Sequence, residues 1–499
     1  MRGLLTNRLV VAALVLVVAA ALYAAAGSSR PVAAAAGRQA GTERLVPVSA
    51  AVRACPDPGS GGTTAGKLAI ASAPAGTSQA GARAVVSRLA PGGATLTTLT
   101  AAGRLAAPAV PKTPATSPAS HPGGTAVPTV PSTAGVEVQA SGPLAEGLEV
   151  EQADPAGRPA VRCPQPGTDF WFAGPGVESA ANIELYLMNT DSLAADAQVT
   201  AETDNGPVLG SADSGIPVPA HGAVVQSLSG LLRGSRAIAL HVSSSTGRIE
   251  AAVRVSRTAT APGTWLPPLQ APAKTLVLPG LPASAGARQL YVAAPGTANA
   301  QVKVTAVTAK GSYQPTGGSG LDLPGGTATQ IPLPSLSSIA AALVVRSNVP
   351  VVASVMVPGG SAGAPGALTG SAGPVSAQNV FAASPGGPGQ AAGIVLSAPR
   401  TAAAVRVITA TTTAGFGSQQ GQQVHISAAH TIVDRIRAPA GSAHGGFAIL
   451  IIPQPGSGPV YAGDVASAGS AVRAMLPALS SPTRVPLPPV RESLTAVLP

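Results

Sequence analysis

Aromatic side chains are scarce in this 499-residue chain: Trp, Tyr and Phe make up 2% of it. Charged residues are 10%, and there are two cysteines, Cys55 and Cys163. Each shortage excludes something. Nucleic-acid binding favours basic stripes interleaved with aromatics. Here the arginines are scattered, so a net charge of +10 reads as a mildly basic surface and no nucleic-acid partner is expected. The cysteine spacing excludes a CxxC redox motif and a cysteine-based metal site. A glycosidase needs two converging carboxyls, and nothing predicts convergence within Glu146, Glu149 and Glu151 or within Asp191, Asp196, Glu202 and Asp204. His425 and His430 stand five apart, which suits neither a helical zinc pair nor one face of a strand. No HExxH, P-loop or GxSxG elbow occurs. The sequence therefore supplies no catalytic, metal or cofactor residue, and the chain reads as non-enzymatic.

What is abundant is small or turn-forming: Gly 59 and Pro 50, with much Ala and Val. This suits small-residue β domains joined by irregular connectors. At the N-terminus, Arg2 and Arg8 precede an uncharged apolar run, Leu9–Ala26. Such a run covers about 27 Å as a helix, close to a bilayer core, and the basic flank keeps the N-terminus cytoplasmic. A signal-anchor over 1–30 is expected, with the bulk extracytoplasmic. Cleavage after Ala24-Ala25-Ala26 is the other reading, and would release the chain. Outside the cytoplasm an even pair of cysteines predicts a Cys55–Cys163 disulfide, stabilising by roughly 4–5 kcal/mol in the chain-entropy model.

A repeat of about 103 residues runs through the chain. Its second strand reads IELYLMN (183–189), RQLYVAA (288–294) and GIVLSA (393–398). Its third reads AQVTAET (197–203), AQVKVTAV (300–307) and AVRVITA (404–410). A closing pair recurs at 238–243 with 249–255, 342–347 with 351–357, and 447–452 with 460–465. Short Val/Ile/Thr-rich runs punctuated by Gly, Pro and Asn are strands with a buried face. Six or seven such strands in about 100 residues predict an immunoglobulin-like sandwich, and a period this long argues against a simple propeller.

The predicted architecture is all-β: tandem immunoglobulin-like β-sandwich repeats after one N-terminal transmembrane helix. A degenerate unit spans 45–165 with a Pro-rich loop at 104–135. Units follow at 168–260, 273–358 and 377–467, then a Pro-rich C-terminal segment at 468–499. The modules are expected to stand in a row as a stalk. Phe170, Trp171 and Phe172 lie in the first strand of the second unit, where they pack in the sandwich or at a seam. An exposed glycan-stacking platform is the alternative.

The stretch CPQPGTDFWFAGPG (163–176), with LYLMNTD (185–191) and PAHG (219–222), resembles an actinobacterial family of membrane-anchored extracytoplasmic proteins of unknown function. The resemblance implies a β-rich architecture outside the cytoplasm and supplies no catalytic residues. The function expected is a membrane-anchored scaffold or adaptor of the cell envelope, its partner an envelope protein or wall glycan. A carbohydrate-binding protein is the alternative.

Overall fold

The computed structural model describes residues 17, 44–56, 66–72, 81–99, 109–110, 130–132, 135–153, 159–208, 215–258, 263–359, 366–375, 381–384, 390–411, 421–436, 447–468, 471–479 and 481–487. The chain divides into two units, one of 1–46 with 486–499, the other of 47–485. Leu9–Ala26 lies outside the described residues apart from Val17. Among the described residues no helix is long and apolar enough to cross a membrane.

The protein is all-β. The alternation read from the sequence is visible in Ala195–Thr203, where Ala197, Val199 and Ala201 are buried while Gln198 and Thr200 face out. Within 47–485 the described strands form four two-layered modules with one pairing order. In the second module, Asp169–Pro175 pairs with Ala237–Thr246, which pairs with Ala195–Thr203. The facing sheet runs Gly222–Ser227, Asn182–Asn189, Glu250–Ser256, Thr264–Leu266. One layer thus holds the module's first, sixth and third strands, and the other its fifth, second, seventh and eighth.

The order recurs in the other three modules. In the first, Ala50–Pro56, Gly135–Ser141 and Arg83–Arg88 face Ala109–Val110, Gly66–Ala71, Glu149–Ala153 and Pro159–Arg162. In the fourth, Phe381–Ser384, Phe447–Pro453 and Ala403–Thr411 face His430–Ile436, Gln390–Ala398, Tyr461–Ala468 and Ala471–Pro477. The third fuses its sixth and seventh strands into one 17-residue strand, Ala341–Val357. The first half of that strand pairs with Ala273–Leu281 and Ala300–Thr308, and the second with Arg288–Ala294 and Ala367–Gly370.

The expected row is corrected by the packing, which closes into a cycle. The first–sixth–third sheet of each module lies on the second–seventh sheet of the next. Trp171, Ala173 and Ala239 of module two meet Tyr291, Ala293 and Val352 of module three. Val277, Ala342 and Val344 of module three meet Tyr461 of module four. Ala69 and Ala71 of module one join Ile408, Ala448 and Leu450 of module four. Ala54 and Leu89 of module one meet Tyr186, Met188 and Trp265 of module two. The eighth strands, Pro159–Arg162, Thr264–Leu266, Ala367–Gly370 and Ala471–Pro477, touch one another in the same circular order.

The physical reason is that the modules are apolar outside as well as inside. Val351, Val352, Ala353, Ser354 and Val355 are all fully buried, so that stretch is covered on both faces. Such strands read as continuous apolar runs because both faces need cover. Three of the eighth strands have only three or four residues, too few to show a period, and the fourth, Ala471–Pro477, falls within the segment read as a Pro-rich tail.

The predicted disulfide is present. Cys55 and Cys163 are bonded, with Cα atoms 4.6 Å apart. The bond ties the first strand of module one to the end of its eighth, across a core containing Leu68, Ile70, Val86 and Val138.

Modules three and four approach at glycines. A Cβ on Gly463 would sit 2.5 Å from the Gly280 Cα, so the backbones themselves are in contact. Replacing Gly463 by Ala forces that seam apart and is expected to cost about 1–3 kcal/mol in chemical denaturation. Gly393→Ala is the control, since the nearest atom there is 3.9 Å from an added Cβ.

Candidate functional site

The aromatic cluster is split by the pleat of its own strand. Phe172 is fully buried in the core of module two, and Phe170 packs partly buried against the same core. Trp171 points the other way, into the seam with module three, and is 9% exposed. Its register partner is His241, and the rings stack with centroids 4.1 Å apart and planes 7° from parallel. His241 Nε2 lies 3.0 Å from Asp169 Oδ1. Phe170 and Phe172 thus share the face turned to the module's core while Trp171 stands on the other, and the indole face is taken by imidazole.

A groove of about 910 Å³ opens elsewhere, between modules one and two. Its floor is a cross-strand row, Val52, Gln139 and Val85, on the outward face of the first module's first–sixth–third sheet. In the other modules that face carries the next module's sheet. Here Ala54 and Leu89 are covered while, among the described residues, the opposite end of the sheet is left open. Module two supplies one wall with Gln165, Thr190, Asp191 and Arg248, and Pro482 and Val485 line another side.

Three arginines, Arg53, Arg83 and Arg248, line the groove against the carboxylate of Asp191. Arg248 holds Asp191 in a two-point contact, Nε to Oδ2 at 3.0 Å and Nη2 to Oδ1 at 2.6 Å. This fork geometry favours the charged pair and raises the guanidinium further. Arg53 is buried, donates to the Leu148 carbonyl at 2.7 Å, and is pulled down by desolvation. Arg83 is exposed.

Behind the groove wall, Thr190 Oγ1 donates to Glu250 Oε1 at 2.7 Å. Burial pushes the Glu250 carboxyl up to about 8, the Thr190 hydrogen bond opposes the rise, and the nearby Glu137 and Asp191 charges add to it. Of the acidic groups considered from the sequence, Asp191 lies in the groove wall, while Glu149 and Glu151 are buried where module one meets module four. Burial also raises Glu202 to about 7. Sequence reasoning assigned none of Arg53, Glu250 and Asp464 a role. The usable signal was a charge placed inside an apolar run, as in IEAAVRV (249–255) and VYAGDV (460–465). His425 lies on Gln422–Ile426 and His430 opens the next strand, His430–Ile436. Among the described residues no group of three His, Cys, Asp or Glu is placed to hold a metal.

A model of a family of unknown function, DUF5719, matches residues 119–434, more than half of the chain. No curated protein matches it.

The Glu250 shift has a sign that can be measured. Its folded value lies above the ordinary 4.5, so the folded state holds the proton more tightly than the unfolded one. The resulting stability is present below about pH 4.5 and is lost as pH rises towards 8. Glu250→Gln should lessen this decline by a few kcal/mol, on the order set by about 1.4 kcal/mol per pH unit, in denaturation midpoints from pH 4.5 to 8.

Proposed function

Given that the chain belongs to DUF5719, a family of unknown function, we propose that it is a non-enzymatic scaffold or adaptor of the cell envelope. It docks an extended, acidic segment of a partner protein in the groove between modules one and two. The observation that carries this reading is the groove itself: an uncovered sheet face bordered by three arginines and one carboxylate that is already paired. Unbalanced charge along such a groove selects the sign of the partner. The buried Cys55–Cys163 bond supports an oxidising location outside the cytoplasm. In this reading Leu9–Ala26 anchors the protein in the membrane. Membrane attachment predicts that cell-associated protein keeps Met1 and fractionates with membranes. A mature N-terminus at Gly27 in the culture fluid would replace anchorage with secretion.

We read the modules as diverged copies of one immunoglobulin-like sandwich. The shared pairing order supports common ancestry. The order differs from an immunoglobulin constant domain in three respects: the first strand lies beside the sixth and the seventh beside the second, so these terminal strands have exchanged layers; the fourth strand, as in Thr95–Leu99 and Gln422–Ile426, lies beside the third; and an eighth strand is added beside the seventh.

Binding of a labelled hexaglutamate peptide to the full chain tests the groove, with hexalysine as control. Hexaglutamate should bind, weaken as salt rises, and lose at least tenfold in affinity on Arg83→Glu, while Trp171→Phe leaves it unchanged. Equal binding to the Arg83 variant would sink the groove reading. Binding of a wall-glycan fragment that depends on Trp171, together with acrylamide quenching of that residue, would establish the carbohydrate alternative.

A further inference from the structure

The meeting of modules four and one buries a cluster of five charged groups. Glu149 and Glu151 on the seventh strand of module one, Arg162 on its eighth and Arg53 on its first are all buried, as is Asp464 from module four. Across this seam lie the described residues of the stretch 471–485. Arg162 Nη1 donates to the Pro477 carbonyl at 2.6 Å. Arg53 Nη2 donates to Ser481 Oγ at 3.2 Å, and the Ser481 hydroxyl donates to Glu149. The Gly147 amide donates to the Pro482 carbonyl at 3.3 Å and the Val48 amide to the Thr483 carbonyl at 3.0 Å. Arg162 Nε stands 3.3 Å from Glu149 Oε2. Among the described residues, both oxygens of Glu151 and Oδ1 of Asp464 have no hydrogen-bond partner.

The cluster therefore sets three carboxyls against two guanidiniums. With every group ionised it would bury a net negative charge, and two of its carboxylates would lack full hydrogen bonding, an arrangement that is strongly unfavourable away from water. One proton balances it. We infer that residues 471–485 are a clasp closing the cycle of modules, held shut by a proton on the Glu151–Asp464 pair and released when that proton is lost.

The titration directions agree. Burial raises Glu151 well above the ordinary carboxylate range and the Asp464 charge adds to the rise, with Arg162 opposing it. Burial lifts Asp464 to about 7 against Arg162 and the Val465 amide. Glu250 reaches the cluster through its charge on Arg53. The other strands packed on the clasp add Lys274, which is exposed, and the half-buried Tyr461, and the clasp's own Arg473 and Arg484 are exposed as well. The sign follows: the folded pair holds its proton more tightly than the opened one, so closure is full in mild acid and weakens as pH rises.

Amide exchange of the full-length protein, corrected for intrinsic rates, tests this from pH 5.5 to 9. In the wild type, amides of 471–485 should lose protection by up to about tenfold per pH unit above the pair's titration, the limit set by one proton. Those of Arg288–Ala294 should stay protected. Asp464→Asn and Glu151→Gln should each hold the clasp closed at pH 9. Protection that does not change with pH, that falls together with 288–294, or that falls equally in both variants would overturn the inference. If Asp464→Asn fails to fold, the wild-type profile and Glu151→Gln decide it.

Discussion

A β-sheet that is apolar on both faces must be covered twice. In this protein that requirement organises the described strands between residues 47 and 485. A sandwich covers one face of each of its sheets. The outer faces are then buried by placing each module's first–sixth–third sheet on its neighbour, and the cycle leaves no module at an end. A head-to-tail contact that closes makes a ring instead of an open array. The same closure shelters the eighth strands, whose unpaired edges would otherwise invite pairing with other chains.

The closeness of the seams depends on side-chain size. Ala173, Ala239, Ala293 and Ala342 lie in three-way company with one larger partner such as Trp171, Tyr291 or Tyr461. Polar groups at these seams reach across to main-chain carbonyls: Ser354 Oγ donates to Ala173 at 2.7 Å and Thr431 Oγ1 to Val307 at 2.7 Å. Hydroxyls of this kind satisfy a buried carbonyl without introducing charge. The seam between modules four and one uses arginines and carboxyls instead, and the seam between one and two stays open along part of its length.

Much of the strand order was legible because local physics writes it. Alternation in Ala195–Thr203 and the recurrence of LYLMN-like runs placed the second, third, sixth and seventh strands of most modules. The cysteine pair was legible because a chain with two cysteines offers each only the other as a partner. The cycle was not, since VVASVMV (351–357) looks the same whether its outer face meets solvent or another sheet. Short strands such as Thr264–Leu266 and Ala367–Gly370 carry too few residues for a period. Glu151 and Asp464 act on one another's charge across more than 300 positions of sequence, and no local pattern links them. The aromatic triplet was conspicuous by composition, yet its strand pleat turned Trp171 to one side and Phe172 to the other.

The fused strand Ala341–Val357 has a mechanical consequence. One unbroken backbone serves as a rung in both layers of module three, and those layers rest on modules two and four. A pull on either neighbour is thus transmitted along covalent bonds to the opposite side, where elsewhere it would cross a turn. Under load module three should behave as the stiff keystone of the assembly, and yielding should begin at the joints away from it.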